Sequence, residues 1–369
     1  MPKKKKEKLV GANFTYKKLI VFGIIVILSL LSLFFSRKFE RWLGINTPFY
    51  EKTASASYKI HFVDVGQGDC TIFEFPNGDI MIVDSGKAKS ENALKDYLDK
   101  VIFADRDNKE ITYLIATHSD EDHVGNMKYI LDNYVVKNVY RPVILSKSEA
   151  ADSAKTTCDT NVYDQFIKAA NAEQESGEGV VRYVQNASGE LLANYGFWIY
   201  GPMKTKYSDV NDFCPFIFVE ANGIVTLITG DASAGVEDEI IVANYDAFIE
   251  DKIDLYQCGH HGSSTSTGDV LLSRFDIDTC IISSGKNNSY GHPHAETIKK
   301  LHDNNIEFLN TADVGSIIYA YDENGNEIVV ATGNIKVFDS VRWWMVVLVF
   351  DALAAIVIFS IKIKVKKRL

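Results

Sequence analysis

The residues that could do chemistry are concentrated in one short segment, THSDEDHVG (117–125). Two histidines, two aspartates and a glutamate lie within the six positions from His118 to His123, directly after the apolar segment ITYLIA (111–116). Charged groups beside a buried strand are unfavourable unless hydrogen bonds or an opposite charge compensate them. A bound metal ion would supply that charge, and imidazoles with carboxylates are a ligand set typical of transition metals.

Two other interpretations of this segment are open. A calcium-binding loop needs oxygen ligands at alternate positions, a glycine at the sixth and an acid at the twelfth. Counted from Asp120, the sixth residue is Gly125, but the twelfth is Leu131, and His123 would be a nitrogen ligand. The segment could also be a solvated polar turn, since charged residues are common after strands.

Distant parts of the chain favour the metal site. One metal-capable group after a strand is a weak signal, because it is often only part of a turn. Here such groups recur at the ends of apolar segments, where strand ends open onto one edge of a sheet: Asp84 in IMIVDSG, Asp231 in TLITGD, and His260 with His261 in DLYQCGHH. Their recurrence predicts that the sheet edge gathers them around metal ions.

The elements that must position these groups are short strands with interspersed helices, in two similar halves. Glycine and asparagine turns join the strands 58–65, 70–75 and 79–86 and a hairpin at 216–231, which favours antiparallel pairing. Helices are expected at 92–103, 233–248 and 296–305, and further strands at 111–116, 252–261 and 279–285. The polar insert 146–195, with one helix at 162–173, is expected to be the least structured part and a candidate lid or substrate loop.

The charged segment resembles the HxHxDH motif of the metallo-β-lactamase fold, in its HxDxDH form. Together with FVDVGQGDC, IVDSG, LITGD, GHHGSSTS and SYGHPH, it makes residues 58 to about 320 similar to the hydrolase domain of ComEC-type competence proteins. The resemblance implies an α/β fold, an αββα four-layer sandwich, with a two-metal site at one edge. We place this hydrolase domain at residues 58–335.

The same resemblance implies how two divalent ions, zinc or manganese, would be held. His118 and Asp120 would bind the first ion, and Asp122 and His123 the second, while Asp231 would bridge both. One of the neighbours His260 and His261 would complete the second site. Because alternation along a strand lets only one of two neighbours point inward, we prefer His260 and keep His261 as the alternative ligand. Asp84 is expected to orient a ligand or a water molecule from behind.

Two departures from the family pattern concern the first ion. Asp120 replaces the usual second histidine. Its carboxylate is a harder ligand than imidazole, so this position should be more tolerant of manganese. No histidine occurs between positions 124 and 259, so the third histidine ligand of many members is absent, and the first ion is expected to be weakly held or completed by water. The competence proteins also carry a many-helix DNA channel, for which this chain offers only two long apolar segments.

Two metal ions about 3.5–4 Å apart suit hydrolysis of a phosphodiester by a metal-bound hydroxide. We therefore expect a phosphodiesterase or nuclease, with Asp122 and His292 as catalytic residues and His292 as proton donor to the leaving group. Substrate contacts are expected from the two loops that follow, at Ser263, Ser264, Asn288, Tyr290 and His294. Ordinary loop polarity for the serines and a turn-stabilising role for His292 are the alternatives.

The sequence is also compatible with other functions. The site would serve a phosphorylcholine-type ester equally well, whereas the ligand set disfavours β-lactam hydrolysis. A non-catalytic, membrane-tethered sensor or binding module is the alternative from a different class. Residues 45–340 hold 23 basic and 46 acidic side chains, a net charge of −23, which opposes binding of polyanions such as nucleic acid.

Hydropathy predicts two transmembrane helices, at 19–35 and 343–361. Their flanking basic tails, 1–18 and 362–369, are expected in the cytosol, and the hydrolase domain, after a linker at 36–57, outside the cell membrane. Asp351 in the second segment is expected to accept a hydrogen bond from Ser29 or Ser32 in the first, within one chain or in a homo-oligomer. Three cysteines read as buried thiols, and Cys158 could pair with Cys214.

Overall fold

The computed structural model describes residues 3–33, 53, 56–104, 106, 108–184, 190–191, 195–248, 251–322, 324–332 and 343–360. The chain divides into two units, one formed by Thr53–Asn334 and the other by Met1–Lys52 with Ile335–Leu369. Most of the predicted linker (36–57) and all of the predicted tail 362–369 lie outside the described residues.

The first half of the larger unit builds one sheet. Its strands are β1 (Tyr58–Phe62), β2 (Thr71–Glu74), β3 (Ile80–Val83), β4 (Glu110–Ile115), β5 (Val135–Arg141) and β8 (Val180–Tyr183), joined by β16 (Ile317–Tyr321) and β17 (Glu327–Ala331). Within the described residues the order is β17–β16–β1–β2–β3–β4–β5–β8. The pairs β1–β2 and β2–β3 are antiparallel, as expected, but β3, β4, β5 and β8 run parallel because helices return the chain between them.

The second half builds the opposing sheet. Its strands are β9 (Glu190–Leu191), β10 (Tyr195–Tyr200), β11 (Phe216–Ala221), β12 (Ile224–Ile228), β13 (Lys252–Gln257), β14 (Asp276–Ile282) and β15 (Glu307–Asn310). In the described part of the chain they lie in the order β15–β14–β13–β12–β11–β10–β9. Here too an antiparallel hairpin, β11–β12, is followed by parallel strands, β12 to β15. The parallel strands of each half therefore end at one edge of their own sheet.

A hydrophobic core fills the space between the sheets. Phe62 and Phe73 from the first sheet and Phe197, Ile217 and Leu255 from the second belong to one buried cluster. Fully buried aromatic and aliphatic side chains of this kind provide most of the stability of two packed sheets.

Helices form the two outer layers. Behind the second sheet, helices α6 (Ala234–Asn244), α7 (Asp269–Arg274) and α8 (Ala295–Asp303) bury Ile240, Leu271 and Leu301 in a second cluster. The first half contributes α2 (Glu91–Tyr97), α3 (Glu121–Val124) and α4 (Met127–Asn133). Tyr97 of α2 contacts His61, which is absent from the inter-sheet core. The α/β part of the predicted fold is therefore confirmed, with helices outside both sheets.

The insert is more regular than expected. Helix α5 spans Asn161–Ser176, begins where the Thr160 hydroxyl accepts the Tyr163 N–H, and ends at Gly177, whose φ is 79°. The short strands β6 (Leu145–Ser146) and β7 (Thr157–Cys158) pair with each other, and β8 joins the first sheet beside β5. Helix α5 thus confirms the helix expected at 162–173, and the strands β6, β7 and β8 are additional structure that was not expected in the insert.

The cysteines and the end of the larger unit complete its description. All five cysteines lie in the described part of the chain and are free, so the disulfide considered between Cys158 and Cys214 is not formed. A short helix, α9 (Thr311–Val314), precedes β16.

The smaller unit contains helices α1 (Lys3–Leu33) and α10 (Trp343–Ser360). Ser29 donates a hydrogen bond of 2.7 Å from Oγ to Asp351 Oδ1, which confirms the expected pairing of these side chains. In the described part of the chain, none of the helices combines the length and apolar character that crossing a membrane requires. The predicted transmembrane helices, and the two-pass membrane topology with them, are wrong.

Charged residues give a physical reason. Lys17 and Lys18 directly precede the apolar residues of α1. Asp351 lies in the middle of α10, and an aspartate inside an apolar helix is costly in a hydrocarbon environment.

Candidate metal centre

The strand ends bring acids and imidazoles to one edge of the sandwich. Asp84 follows β3, His118 follows β4, Asp231 follows β12 and His261 follows β13, and all four residues are buried. The edge is closed by tight contacts between loop backbones. The Asp69 N–H donates to the Asp122 carbonyl oxygen at 3.1 Å, and the Ser85 N–H donates to the His123 carbonyl oxygen at 2.6 Å.

The Asp231 carboxylate lies at the middle of the histidines. His123 Nε2 is 3.2 Å from Asp231 Oδ1. On the other oxygen, Asp231 Oδ2, the Nε2 atoms of His260, His261 and His118 lie at 3.4, 3.7 and 4.0 Å. The Asp231 carboxylate thus lies within 4.0 Å of all four imidazoles, which is consistent with the bridging role that the resemblance implies.

Asp84 determines which nitrogen of two histidines carries the proton. Its Oδ2 lies 2.8 Å from His123 Nδ1 and 2.7 Å from the Thr117 hydroxyl, and its Oδ1 accepts the Thr117 N–H at 2.9 Å. A carboxylate can only accept, so His123 Nδ1 and the Thr117 hydroxyl both donate to it. The Thr117 oxygen is then left to accept from His118 Nδ1, 3.1 Å away. Nδ1 therefore carries a proton in both rings, and Nε2 is the nitrogen that faces Asp231 and can bind a metal ion.

Asp69 does for His261 what Asp84 does for His123. Asp69 Oδ1 lies 3.2 Å from His261 Nδ1, which also lies 3.0 Å from the Ser283 carbonyl oxygen. Since both partners accept, Nδ1 carries the proton and Nε2 is free for a ligand. The sequence pattern does not reveal the role of Asp69. Its signal is the turn GQGD, but Asp69 precedes strand β2, whereas the other predicted ligands follow strands.

Several polar atoms of this centre lack a hydrogen-bond partner among the described residues. They are buried and come from different strands: Asp69 Oδ2, His118 Nε2, His123 Nε2, Asp231 Oδ1 and His261 Nε2. Unpaired buried polar atoms are costly, so several in one place call for a bound group. Asp69, His123, Asp231 and His261 each offer a ligand atom, all within 4.8 Å of one another. This donor set fits a divalent transition metal.

Two further carboxylates lie at the mouth of the centre. Asp120 Oδ2 is 3.8 Å from His118 Nε2, with 45% of its side chain exposed. Asp122 Oδ2 is 3.7 Å from His261 Nε2 and 3.7 Å from Lys87 Nζ. Asp120 thus lies beside His118, and Asp122 lies beside His261.

The paired histidines lie in a turn and not in a strand. Strand β13 ends at Gln257, and His260 and His261 adopt φ values of 50° and 57°. The alternation used to choose between them therefore does not apply, because both side chains reach Asp231. His261 is buried, whereas about a quarter of the His260 side chain is exposed and its Nδ1 lies 3.2 Å from the Thr265 hydroxyl.

Burial and charge act in opposite directions on these groups. Burial alone would lower the pKa of His123, but the carboxylates of Asp231 and Asp84 raise it well above its usual value. Burial would raise the pKa of Asp231, but His123 and His261 hold it well below its usual value. For His261, burial is outweighed by Asp231 and Asp69, which raise the pKa to about 9. The centre therefore favours positive charge, which metal ions can provide in place of protons.

Two of the residues predicted to contact substrate form hydrogen bonds within their own loops. Asn288 donates to the carbonyl oxygens of Gly285 and His292 and accepts the Tyr290 and His292 N–H groups, so it shapes its own loop. Ser263 is buried, and its hydroxyl lies 3.0 Å from the Thr265 hydroxyl. These contacts argue against free hydrogen-bond donors at Asn288 and Ser263.

The other four predicted residues of these loops, Ser264, Tyr290, His292 and His294, lie near one another. His294 Nδ1 accepts the Ser264 N–H at 3.0 Å and lies 3.1 Å from its hydroxyl. Tyr290 is 57% exposed, with Lys87 Nζ 5.7 Å from its ring centre. Burial, together with His261 and His260, lowers the pKa of His292 to about 4. A neutral ring near pH 7 argues against His292 as proton donor.

Comparison with known proteins finds a family match over part of the larger unit. Residues 63–156 match the Metallo-beta-lactamase superfamily. Two curated relatives are ComE operon protein 3 of Bacillus subtilis (strain 168) and Recombination protein 2 of Haemophilus influenzae (strain ATCC 51907 / DSM 11121 / KW20 / Rd). The first is 28% identical over 282 residues, covering 72% of this chain and 33% of the relative. The second is 28% identical over 268 residues, covering 73% and 29%.

These matches confirm the predicted resemblance to metallo-β-lactamase-type hydrolase domains of competence proteins. The chain spans about a third of the length of these curated relatives. Among solved structures, the metallo-beta-lactamase fold protein YhfI from Bacillus subtilis has 10% sequence identity and a TM-score of 0.40, covering 69% of this chain and 95% of that one. The superfamily match, with the Asp–His cluster, supports a metal-dependent hydrolase.

Proposed function

We propose that this protein is a metal-dependent phosphodiesterase that acts on nucleic acid. The observation that carries the proposal is the group of unpartnered, buried ligand atoms around Asp231. Carboxylates and imidazoles on both sides of one central carboxylate are the arrangement that a pair of divalent ions requires. Two-metal centres are common in enzymes that cleave phosphate esters.

The two positions would draw on different residues. His118 and Asp120 would hold one ion, and His123, His261 and Asp122 the other, with Asp231 between them. When bound, the two ions activate a water molecule for attack and stabilise charge on the phosphoryl oxygens. Asp84 and Asp69 accept hydrogen bonds from Nδ1 of His123 and His261, which leaves Nε2 of each ring as the nitrogen that can bind an ion.

Lys87 favours an anionic substrate over a neutral one. Its ammonium group stands at the mouth of the centre, 3.7 Å from Asp122 Oδ2, with 18% of the side chain exposed. From there it can bind a non-bridging phosphate oxygen, a charge-assisted contact that a neutral ester cannot make. The exposed ring of Tyr290, next to Lys87, offers a surface on which a nucleobase can stack.

The choice of nucleic acid rests on the relatives' names and is limited by charge. One relative is named a recombination protein and another a competence protein. The net charge of −23 over residues 45–340 disfavours a long duplex lying across the surface. Short single strands or strand ends, which bring few phosphates to the protein, are the substrates that this charge tolerates best.

The test is hydrolysis by the full-length protein, loaded with zinc or manganese to a measured stoichiometry. The substrates are bis(p-nitrophenyl) phosphate, a short end-labelled single-stranded oligonucleotide, and the β-lactam nitrocefin. We expect cleavage of both phosphodiesters, loss of cleavage on chelation, and little turnover of nitrocefin.

Asp231→Asn should abolish this cleavage together with metal binding. Asp278→Asn is the matched control. Asp278 forms an ion pair of 3.1 Å with Lys252, the first residue of β13, whereas the metal centre lies beyond the last residue of that strand. Protein that contains its metal ions but hydrolyses neither phosphodiester would refute the proposal.

A further inference from the structure

The turn GQGD (66–69), between β1 and β2, brings a second side chain to the mouth of the centre. Gln67 lies two residues before Asp69 and is buried, with 7% of its side chain exposed. The backbone of this turn lies directly against Gly285, in the loop that follows β14 of the opposing sheet. A Cβ at position 285 would come within 2.6 Å of the Gln67 backbone nitrogen, so only glycine permits this approach.

The side chain of Gln67 contacts the same loop at two points. Its Oε1 accepts the Gly285 N–H at 3.0 Å, and its Nε2 lies 3.4 Å from His292 Nδ1. The first contact fixes the orientation of the amide, because a flipped amide would turn its NH2 group toward the Gly285 N–H and bring two donors together. The NH2 group therefore faces His292, and an NH2 group can only donate.

This contact determines where His292 carries its proton. Because Nδ1 accepts from Gln67, Nδ1 is unprotonated, and the neutral ring has its single proton on Nε2. The opposite holds for His123 and His261, whose Nδ1 atoms donate to carboxylates. Those two rings present Nε2 to a metal ion, whereas His292 presents an Nε2–H, which is a hydrogen-bond donor and not a ligand.

The His292 ring lies at the mouth of the centre. Its ring centre is 5.4 Å from that of His260, whose Nε2 is 3.4 Å from Asp231 Oδ2. The ring stacks on Tyr290, at 5.6 Å and an interplanar angle of 26°. Asn288 binds both the N–H and the carbonyl oxygen of His292, which anchors the loop. In the described part of the chain, the hydrogen bonds of His292 use its backbone and Nδ1, so the Nε2–H remains for a group that enters the mouth.

We propose that Gln67 is a positioning residue that holds His292 as a neutral hydrogen-bond donor, and that the His292 Nε2–H binds an oxygen of the phosphodiester. The substrate contact rests on the proposed function, whereas the proton position does not. No proton is transferred: the ring keeps its proton and donates a hydrogen bond to an oxygen that carries negative charge, which a fixed donor stabilises. This role differs from that of a general acid, which has to give up its proton.

The proton position is read directly by NMR in the full-length, zinc-loaded protein at neutral pH. Histidine labelled with nitrogen-15 is incorporated, and each ring nitrogen is correlated with the carbon-bound ring protons, which distinguishes protonated from unprotonated nitrogen. The His292 signals are those that disappear in His292→Asn. In the wild type we expect His292 to have an unprotonated Nδ1 and a protonated Nε2. In Gln67→Glu, where a carboxylate of the same shape replaces the amide, Nδ1 should become protonated.

Activity then tests the substrate contact. Gln67→Glu should lower kcat/KM for the single-stranded oligonucleotide by about tenfold or more, with metal content unchanged. In a His292→Asn background the same substitution should change kcat/KM by less than about twofold, because Gln67 acts through the ring. Gln174→Glu is the matched control and should resemble wild type in kcat/KM and in the His292 signals. Gln174 Oε1 also accepts a backbone N–H, that of Val181 at 3.1 Å, but it lies exposed in the insert.

A protonated Nδ1 of His292 in the wild type would overturn the role of Gln67 and leave the phosphodiesterase proposal standing. This result needs no variant, so a folding defect in Gln67→Glu cannot obscure it. A loss from Gln67→Glu that is equally large in the His292→Asn background would also overturn the inference, as would wild-type kcat/KM in Gln67→Glu. Metal-loaded wild type that has the expected proton position but hydrolyses no phosphodiester would refute the proposed function, and the substrate contact with it.

Discussion

Replacing Asp84 with asparagine should weaken metal binding while leaving the fold in place. Asparagine keeps the size of the side chain and, like aspartate, tolerates the φ of 58° at this position. Its amide oxygen can still accept the Thr117 N–H, but its NH2 group would donate where Asp84 Oδ2 now accepts from the Thr117 hydroxyl and His123.

The exchange of donor for acceptor reverses both histidines. His123 Nδ1 would accept from the amide, which moves the ring proton to Nε2, the nitrogen 3.2 Å from Asp231 Oδ1. The Thr117 hydroxyl, accepting from the same amide, would donate to His118 Nδ1 and move that proton to Nε2 as well. A residue that orients one ligand is worth about 10–100-fold in metal affinity. With two rings affected, we expect about 100-fold, or about 2.7 kcal/mol.

Affinity is measured by competition with a chromophoric chelator, and the fold by thermal unfolding of the metal-free protein. Thr117→Val should give a smaller loss, because it interrupts only the path to His118. Asp79→Asn is the matched control, since Asp79, just before β3, also accepts from a threonine hydroxyl, Thr112 Oγ1 at 3.0 Å, away from the centre. Metal affinity of Asp84→Asn within twofold of Asp79→Asn would refute the tautomer argument.

Three further substitutions test a close backbone approach, a buried carboxylate and the lysine at the mouth of the centre. Gly125→Ala should destabilise the protein by about 2 kcal/mol or more, because its Cβ would overlap the backbone nitrogen of Ala88, whereas Gly235→Ala, in open space, should change the unfolding free energy by less than about 1 kcal/mol. Burial would raise the pKa of Glu74, but His61 and its other partners lower it from 4.5 to about 2. The ionised carboxylate should therefore contribute up to about 3 kcal/mol to the free energy of unfolding above pH 4.5, and this contribution should be lost as the pH falls toward 2. In Glu74→Gln, the free energy of unfolding should depend less on pH in that range. Lys87→Met should lower kcat/KM for phosphodiesters by about tenfold or more with metal content unchanged. Lys87→Arg should retain most of the wild-type kcat/KM. A methionine variant as active as wild type would exclude the phosphate contact.

The sequence predicted the metal-binding edge best where a ligand directly follows a strand. Asp84, His118, Asp231 and the 260–261 pair each come just after an apolar segment, so a short pattern locates them. Asp69 was missed because it lies before β2 and not after a strand. Its arrival at the same edge depends on the antiparallel pairing of β2 with β3, which is a property of the sheet and not of the local sequence.

Other errors have equally specific causes. The strand alternation used to choose between His260 and His261 does not apply, because both residues have left-handed backbone, which is rare at two successive non-glycine residues and has no reliable sequence signal. Cys214 looked like half of a disulfide because spacing alone cannot show that its sulfur meets the Asp231 N–H. The membrane prediction relied on the average hydropathy of each segment, which gives little weight to a single charge such as Asp351.

The origin of the ligands in both sheets has a consequence for biosynthesis. His118 and His123 leave the ribosome more than a hundred residues before Asp231 and His261, and the N-terminal half of a chain is free to fold first. During that interval the early half presents two histidines and the carboxylates of Asp69 and Asp84 without the carboxylate that joins them. Full-affinity metal loading therefore has to wait until residue 261 has emerged and the second sheet has docked. Metal acquisition is then a late maturation event, and a nascent chain stalled before Asp231 would be distinguishable by its weak metal retention.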